Sequence, residues 1–180
     1  MEIRQATIDD SKFVALGIAM ALHLLPDEET LQHIEKICQL EDVLYSFRNA
    51  IIAFVDNKPV GLGLGYNGKG YHEIKEYTFS FFEENSEEMD FEHFDDETCE
   101  GEYYIDSVAV LEEYRCKGIG SEILRALIKK GSEMELPLAT LLVDPENSDA
   151  QKLYTKLGFK YMKDLYCFGQ TFWKMGLYLL

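Results

Sequence analysis

Residues Val108 to Gly131 read VAVLEEYRCKGIGSEILRALIKKG. An apolar strand-like run ends, a short basic segment follows, and two glycines open an amphipathic helix. Ile123, Leu124, Leu127 and Ile128 share one helix face. Lys129 and Lys130 fall in the last turn, where cations suit the dipole, and Gly131 is placed to cap it. At the front of the helix the first N–H groups lack intrahelical partners. Gly118 and Gly120 carry no side chains, so a ligand can reach bare backbone there. Free N–H groups and the positive dipole end form a cradle for a phosphate-like anion. Arg115 and Lys117 add positive charge, against Glu112 and Glu113 just upstream. No Gly-Lys-Ser/Thr follows, so this is not a Walker loop.

A second motif lies downstream, NSDAQKLYTKLGF from Asn147 to Phe159. Asn147 is a helix N-cap, and Ala150, Leu153 and Leu157 mark one apolar side. Tyr154 lies one turn beyond Ala150, at the edge of that side, where its hydroxyl can reach a cleft. Gly158 ends the helix at C′.

The rest of the chain alternates strands and helices. Met1 to Thr7 suits a first strand. Asp9, Asp10 and Ser11 are candidate caps for a helix carrying Phe13, Leu16, Ile18, Met20 and Leu22, which Pro26 breaks. Asp27 caps a second helix through Leu31, Ile34 and Ile37. The segment Glu41 to Arg48 suits a short helix. Ala50 to Val55 and Val60 to Tyr66 form a hairpin, turning at Asp56 to Pro59. Gly61, Gly63 and Gly65 fall on one face of its second strand and permit close approach by a helix or ligand. His72 to Phe82 reads as helix, Glu102 to Val110 as strand, Ser121 to Lys130 as helix and Pro137 to Val143 as strand. Tyr161 to Phe168 and Thr171 to Leu180 make a terminal hairpin, whose edge offers pairing to a second copy. Without repeats or linkers, residues 1–180 read as one α/β or α+β domain.

With Lys and Arg totalling 17 against 33 Asp and Glu, the formal charge is −16. Such a surface repels nucleic acid and anionic lipid and favours a cationic partner. The stretch 83–100 has no Lys or Arg. It reads as a solvated acidic loop, or as a rim that gathers cations, with Phe91 and Phe94 docking. Cys38, Cys99, Cys116 and Cys167 form no CxxC pair and no zinc spacing. They read as free thiols of a reducing cytoplasm, and no metal site is expected. The first residues carry acids rather than a signal peptide, and no run approaches the roughly 18 apolar residues of a membrane span.

The ordered pair of motifs, Arg115-x-x-Gly118-x-Gly120 after the strand VAV and then N-x-x-A-x-x-L-Y-x-x-x-G-F, resembles the GNAT-type N-acetyltransferase family. The resemblance covers Glu102 to Phe159. It implies the acyl-CoA N-acyltransferase fold, a mixed, mostly antiparallel sheet flanked by helices. In that fold two parallel strands, here Tyr103 to Val110 and Leu138 to Val143, splay to admit the pantetheine arm of acetyl-CoA. The backbones of Val108 and Val110 would pair with that arm, and Asn147 would hydrogen-bond it. The N–H groups from Arg115 to Ser121, with Lys117, Gly118 and Gly120 among them, would hold the diphosphate.

An N-acetyltransferase needs a base for the attacking ammonium, a donor for the oxyanion and a proton for the departing thiolate. Tyr154 matches the family's proton donor. On the strand, Glu102, Tyr104, Asp106, Val108 and Val110 share a face by alternation. Asp106 is favoured for contact with the amine, and Glu102 is kept as a base acting through water. The acceptor is a primary amine, small or on a peptide. Two other readings remain open: a regulatory module that binds acyl-CoA without turnover, and an interaction protein working through the acidic tract.

Overall fold

The structure, a computed structural model, describes residues 1–24, 27–82 and 95–179. The break expected at Pro26, most of the acidic stretch, and Phe91 and Phe94 lie outside the described residues. Seven strands are joined in the order β1-β2-β3-β4-β5-β7-β6, a mixed sheet with helices between strands. By their contacts the residues group into two compact units, each described in turn.

The first unit holds Met1–Gly65 and Asp106–Leu127. Strand β1 (Glu2–Gln5) runs antiparallel to β2 (Ala50–Val55), which pairs with the start of β3 (Lys58–Asn67). The hairpin turn is tighter than the sequence suggested. Asp56 and Asn57 alone make it, with φ of 50° and 61°, and Lys58 and Pro59 already belong to the strand. Asp and Asn tolerate that left-handed pair, which matches the strand twist.

Helix α1 (Ser11–Ala21) follows a 3-10 turn at Ile8–Asp10. Asp10 folds back instead of capping α1. It accepts from the Thr7 backbone N–H and from the Thr7 hydroxyl, each at 2.8 Å, and forms a bidentate pair with Arg4 at 2.8 and 3.0 Å. These donors bring its pKa down to about 2, the Arg4 bond most of all, despite some burial. Helix α2 (Glu28–Cys38) is capped by Asp27, which accepts from Thr30 N–H at 2.8 Å. Residues 41–45 form bends and turns, and only Phe47–Asn49 closes as a 3-10 turn.

Both faces of β3 are covered through glycine. A Cβ on Gly17 of α1 would sit 2.5 Å from the Leu62 side chain. On the other face, a Cβ on Gly63 would meet Ile123 at 2.5 Å and Leu127 at 3.0 Å. Those two residues lie on α4 (Ile119–Glu133), so the glycine stripe admits a helix rather than a ligand. Val14, Ile18, Ile52, Leu62, Leu64, Ile123, Leu124 and Leu127 make this unit's core.

The second unit holds Tyr66–Ile105 and Ile128–Leu180. Helix α3 (Tyr71–Ser80) starts after Gly70, whose φ is 69°. Strand β4 (Glu102–Val110) pairs in parallel with β5 (Leu138–Val143), from Glu102↔Leu138 to Ile105↔Leu141. Strand β5 then pairs antiparallel with β7 (Gln170–Tyr178), and β7 with β6 (Lys160–Cys167). Between β5 and β6 lies α5 (Ser148–Lys156). Gly131 does not cap α4 as its position suggested. It sits inside the helix, where a Cβ would meet the Tyr103 side chain at 2.8 Å. Tyr103, Tyr104, Leu141, Phe159 and Leu165 are the large residues of this core.

Candidate functional site

Strand β4 leaves its parallel ladder after Ile105, and its last residues alternate in exposure. Ser107 and Ala109 are buried, while Asp106, Val108 and Val110 are half-buried and share the opposite face. The Asp106 carboxylate accepts from the Ser107 hydroxyl at 2.6 Å.

Beyond Val110 the chain is pinned to β3 by Leu111 N–H on the Val60 carbonyl, 2.9 Å. A 3-10 turn at Glu112–Tyr114 follows, and Arg115 N–H closes it on the Glu112 carbonyl at 3.1 Å. That bond commits one of the amides expected to face an anion. Cys116 and Gly118 then adopt φ of 60° and 82°, and α4 begins at Ile119. Two left-handed residues so close together make the loop curl. Nothing lies within 4 Å of a Cβ built on Gly118, and only Val110, at 3.9 Å, near one on Gly120. The front of α4 is therefore bare backbone, with Ser121 half-buried in its first turn. The two cations flank it: Arg115 Nε donates to the Val110 carbonyl at 3.1 Å, and Lys117 Nζ to the Glu113 carbonyl at 2.8 Å. Both side chains are exposed and bonded to neutral carbonyls.

The second unit carries Glu102, Asn147 and Tyr154. Asn147 caps α5, its Oδ1 accepting from Ala150 N–H at 3.1 Å. Tyr154 is half-buried, and its ring meets buried Phe159 edge-on at 6.2 Å. Gly158, φ 100°, turns the chain at the helix end, and Phe159 N–H returns to the Tyr154 carbonyl at 3.0 Å. Burial pushes the Tyr154 phenol above its ordinary pKa.

Glu102 has a different setting from Asp106. It is buried, and its Oε2 accepts from Lys174 at 2.7 Å, Thr98 at 2.8 Å and Thr140 at 3.1 Å. Burial alone would raise its pKa. The Lys174 and Thr98 hydrogen bonds, the Lys174 charge and the Thr140 bond outweigh that, and it lies below the usual range.

Sequence reasoning passed over a group beside it. Tyr71 donates its hydroxyl to Glu97 Oε1 at 2.7 Å, and the Tyr104 hydroxyl donates to Oε2. Asp96 takes Lys75 at 2.5 Å and His72 at 3.2 Å. Asp95 exchanges bonds with Tyr166 of β6, its N–H to the carbonyl at 3.1 Å and its carboxylate from the N–H at 3.3 Å. Three successive acids thus fasten to three elements. The one signal in the sequence was Tyr104, two residues before Asp106 on the same strand face.

A family model described as the acetyltransferase (GNAT) family matches residues 18–159. An N-alpha-acetyltransferase of Sulfurisphaera tokodaii is 44% identical over 63 residues, 34% of this chain and 38% of that protein. A D-amino-acid N-acetyltransferase of Saccharomyces cerevisiae is 33% identical over 63 residues, 35% of this chain and 39% of that protein. The match thus spans under two fifths of the length of either curated relative. An N-acetyltransferase from Staphylococcus aureus Mu50 aligns over 98% of this chain and 100% of its own, with TM-score 0.80 and 22% identity, a likeness of fold.

Proposed function

The chain belongs to the GNAT acetyltransferase family, and from that premise we propose that it moves an acetyl group from acetyl-CoA to a primary amine, residues 1–180 acting as one catalytic domain. The observation that carries this is the bare, curled loop from Arg115 to Gly120 opening α4, with exposed Arg115 and Lys117 beside it. Helix N-terminal amides and two cations suit a diphosphate. In the family's arrangement that diphosphate belongs to coenzyme A. Val108 and Val110 offer backbone to the pantetheine arm. The Asn147 oxygen is engaged as a cap, so its side-chain NH2 is the group left to donate to that arm.

Acetyl-CoA supplies an activated thioester. The acceptor arrives as an ammonium, which cannot attack until it loses a proton. Asp106 takes that proton, directly or through water. The amine nitrogen then bonds to the carbonyl carbon, and backbone N–H on the β4 face stabilises the oxyanion. The carbon–sulfur bond breaks, and Tyr154 gives its proton to the leaving thiolate. Its raised pKa keeps that proton in place at neutral pH. Glu102 is assigned to the ion pair with Lys174 rather than to proton transfer, because three donors already hold its carboxylate. The names of the curated relatives favour an acceptor of amino-acid or peptide type.

The test is thiol release from acetyl-CoA over a panel of amines, amino acids and short peptides, with calorimetry of coenzyme A in parallel. Turnover of at least one amine is expected. Coenzyme A binding with no turnover would leave a non-catalytic binding module; no binding at all would remove the cradle as well.

A further inference from the structure

We propose that His72 is a proton-controlled clasp: as an imidazolium it fastens Asp96, and with it the run Asp95 to Glu97, onto α3, and it loosens that hold on losing its proton. This device works whether or not the protein turns over an amine.

His72 stands exposed in the first turn of α3. Its Nδ1 lies 3.2 Å from Asp96 Oδ1, and its Nε2 lies 3.5 Å from Glu76 Oε1, one helical turn further on. A neutral imidazole has one N–H and one lone pair. With a carboxylate at each nitrogen, the neutral ring must turn its lone pair on one of them. Only the imidazolium serves both.

Lys75 meets the same Asp96 oxygen at 2.5 Å and is buried. Asp96 thus has one buried cation and one exposed one. Of these two, histidine is the one whose charge ordinarily changes between about pH 5 and 8. Burial works against the Asp96 carboxylate, but the Lys75 and His72 hydrogen bonds and charges outweigh it, and its pKa lies below the ordinary range. Asp96 therefore stays ionised while His72 titrates. The Asp96 hydrogen bond and charge raise the His72 pKa, with help from Glu76, against slight desolvation and the Lys75 charge. A histidine pKa raised in the seated form stabilises that form below the free-histidine value. The contribution is lost as the pH rises through the seated value.

The run has other ties. Asp95 N–H donates to the Tyr166 carbonyl at 3.1 Å, and Glu97 accepts from Tyr71 at 2.7 Å. These bonds do not involve His72, so its deprotonation loosens the run rather than freeing it. The Asp95 amide is accordingly a reporter of whether the run is seated.

The experiment reads hydrogen exchange at the Asp95 amide by NMR at pH 6 and pH 8.5, each rate divided by the intrinsic rate of an unstructured chain. In wild type, protection should fall by about two- to fivefold between the two, the scale of an exposed ion pair. In His72→Gln, protection should be the same at both and match wild type at pH 8.5. The wild-type His72 ring, followed in the same samples, should titrate above a blocked histidine peptide, and Asp96→Asn should bring it back toward that peptide. The proposal is overturned if wild-type protection does not fall, or if His72→Gln shows the same fall. It is overturned equally if the wild-type ring titrates at or below the peptide, a comparison that needs no variant to fold.

Discussion

Lys174→Met isolates what the buried ion pair does. The change keeps the apolar stem and removes the ammonium 2.7 Å from Glu102. Glu102 would keep the Thr98 and Thr140 hydroxyls but lose its only charged hydrogen-bond donor among the described residues. Breaking a buried pair from one side costs about 3–5 kcal/mol. Proton uptake sets a ceiling, because neutralising a carboxyl of ordinary pKa at pH 7 costs about 3.5 kcal/mol, at 1.36 kcal/mol per unit. A loss near 3 kcal/mol is therefore expected, or about 10 °C in Tm for a domain of this size. The pH dependence should also change sign. In wild type the Glu102 pKa is depressed, so its contribution is present above the unfolded carboxyl pKa and is lost as pH falls through the folded one. In Lys174→Met the folded pKa is raised, so lowering the pH from 7 toward 5 should recover stability. Melting curves at pH 5 and 7 read both effects. The double variant Glu102→Gln/Lys174→Met removes the charge altogether and should regain most of the loss. Amine turnover in that background then separates a structural Glu102 from a catalytic one. A single variant that melts like wild type at pH 7, or that loses stability between pH 7 and 5, would refute the reasoning.

Tyr154→Phe should lower kcat about 100-fold, in the range of a lost general acid, while calorimetry finds coenzyme A affinity little changed; an unaltered rate would take proton donation away from Tyr154. Gly63→Ala forces a methyl against Ile123 and Leu127 and should destabilise by about 1–3 kcal/mol in urea unfolding. Asp10→Asn should lose about 1–2 kcal/mol at pH 7, because the Arg4 and Thr7 bonds hold the native carboxylate near a pKa of about 2. That contribution exists above the unfolded value near pH 4 and fades toward pH 2, so wild type and variant should converge in acid unfolding.

The strands and helices were readable because their apolar residues repeat at two or 3.6, and because Asn147, Asp27 and Gly158 mark ends with local chemistry. Contacts between distant residues were not readable. Gly131 after two lysines has the spacing of a cap, yet the Tyr103 side chain occupies the space its Cβ would fill, so the helix continues through it. Glu102 and Asp106 look alike by alternation along β4. Their difference comes from Lys174, 72 residues further on, which holds one and not the other. Glu97 sat inside a run that composition alone marks as solvated acid. Its partners, Tyr71 and Tyr104, belong to a helix and a strand whose packing no local pattern announces. The loop from Arg115 to Gly120 was legible because glycine at a helix start is itself a backbone statement.

Asp95, Asp96 and Glu97 act as a rivet joining three parts of the second unit without a covalent bond. If the chain were severed ahead of Asp95, the piece beginning there would stay clasped to α3 through Lys75, His72 and Tyr71. The two fragments would travel together until a denaturant released them.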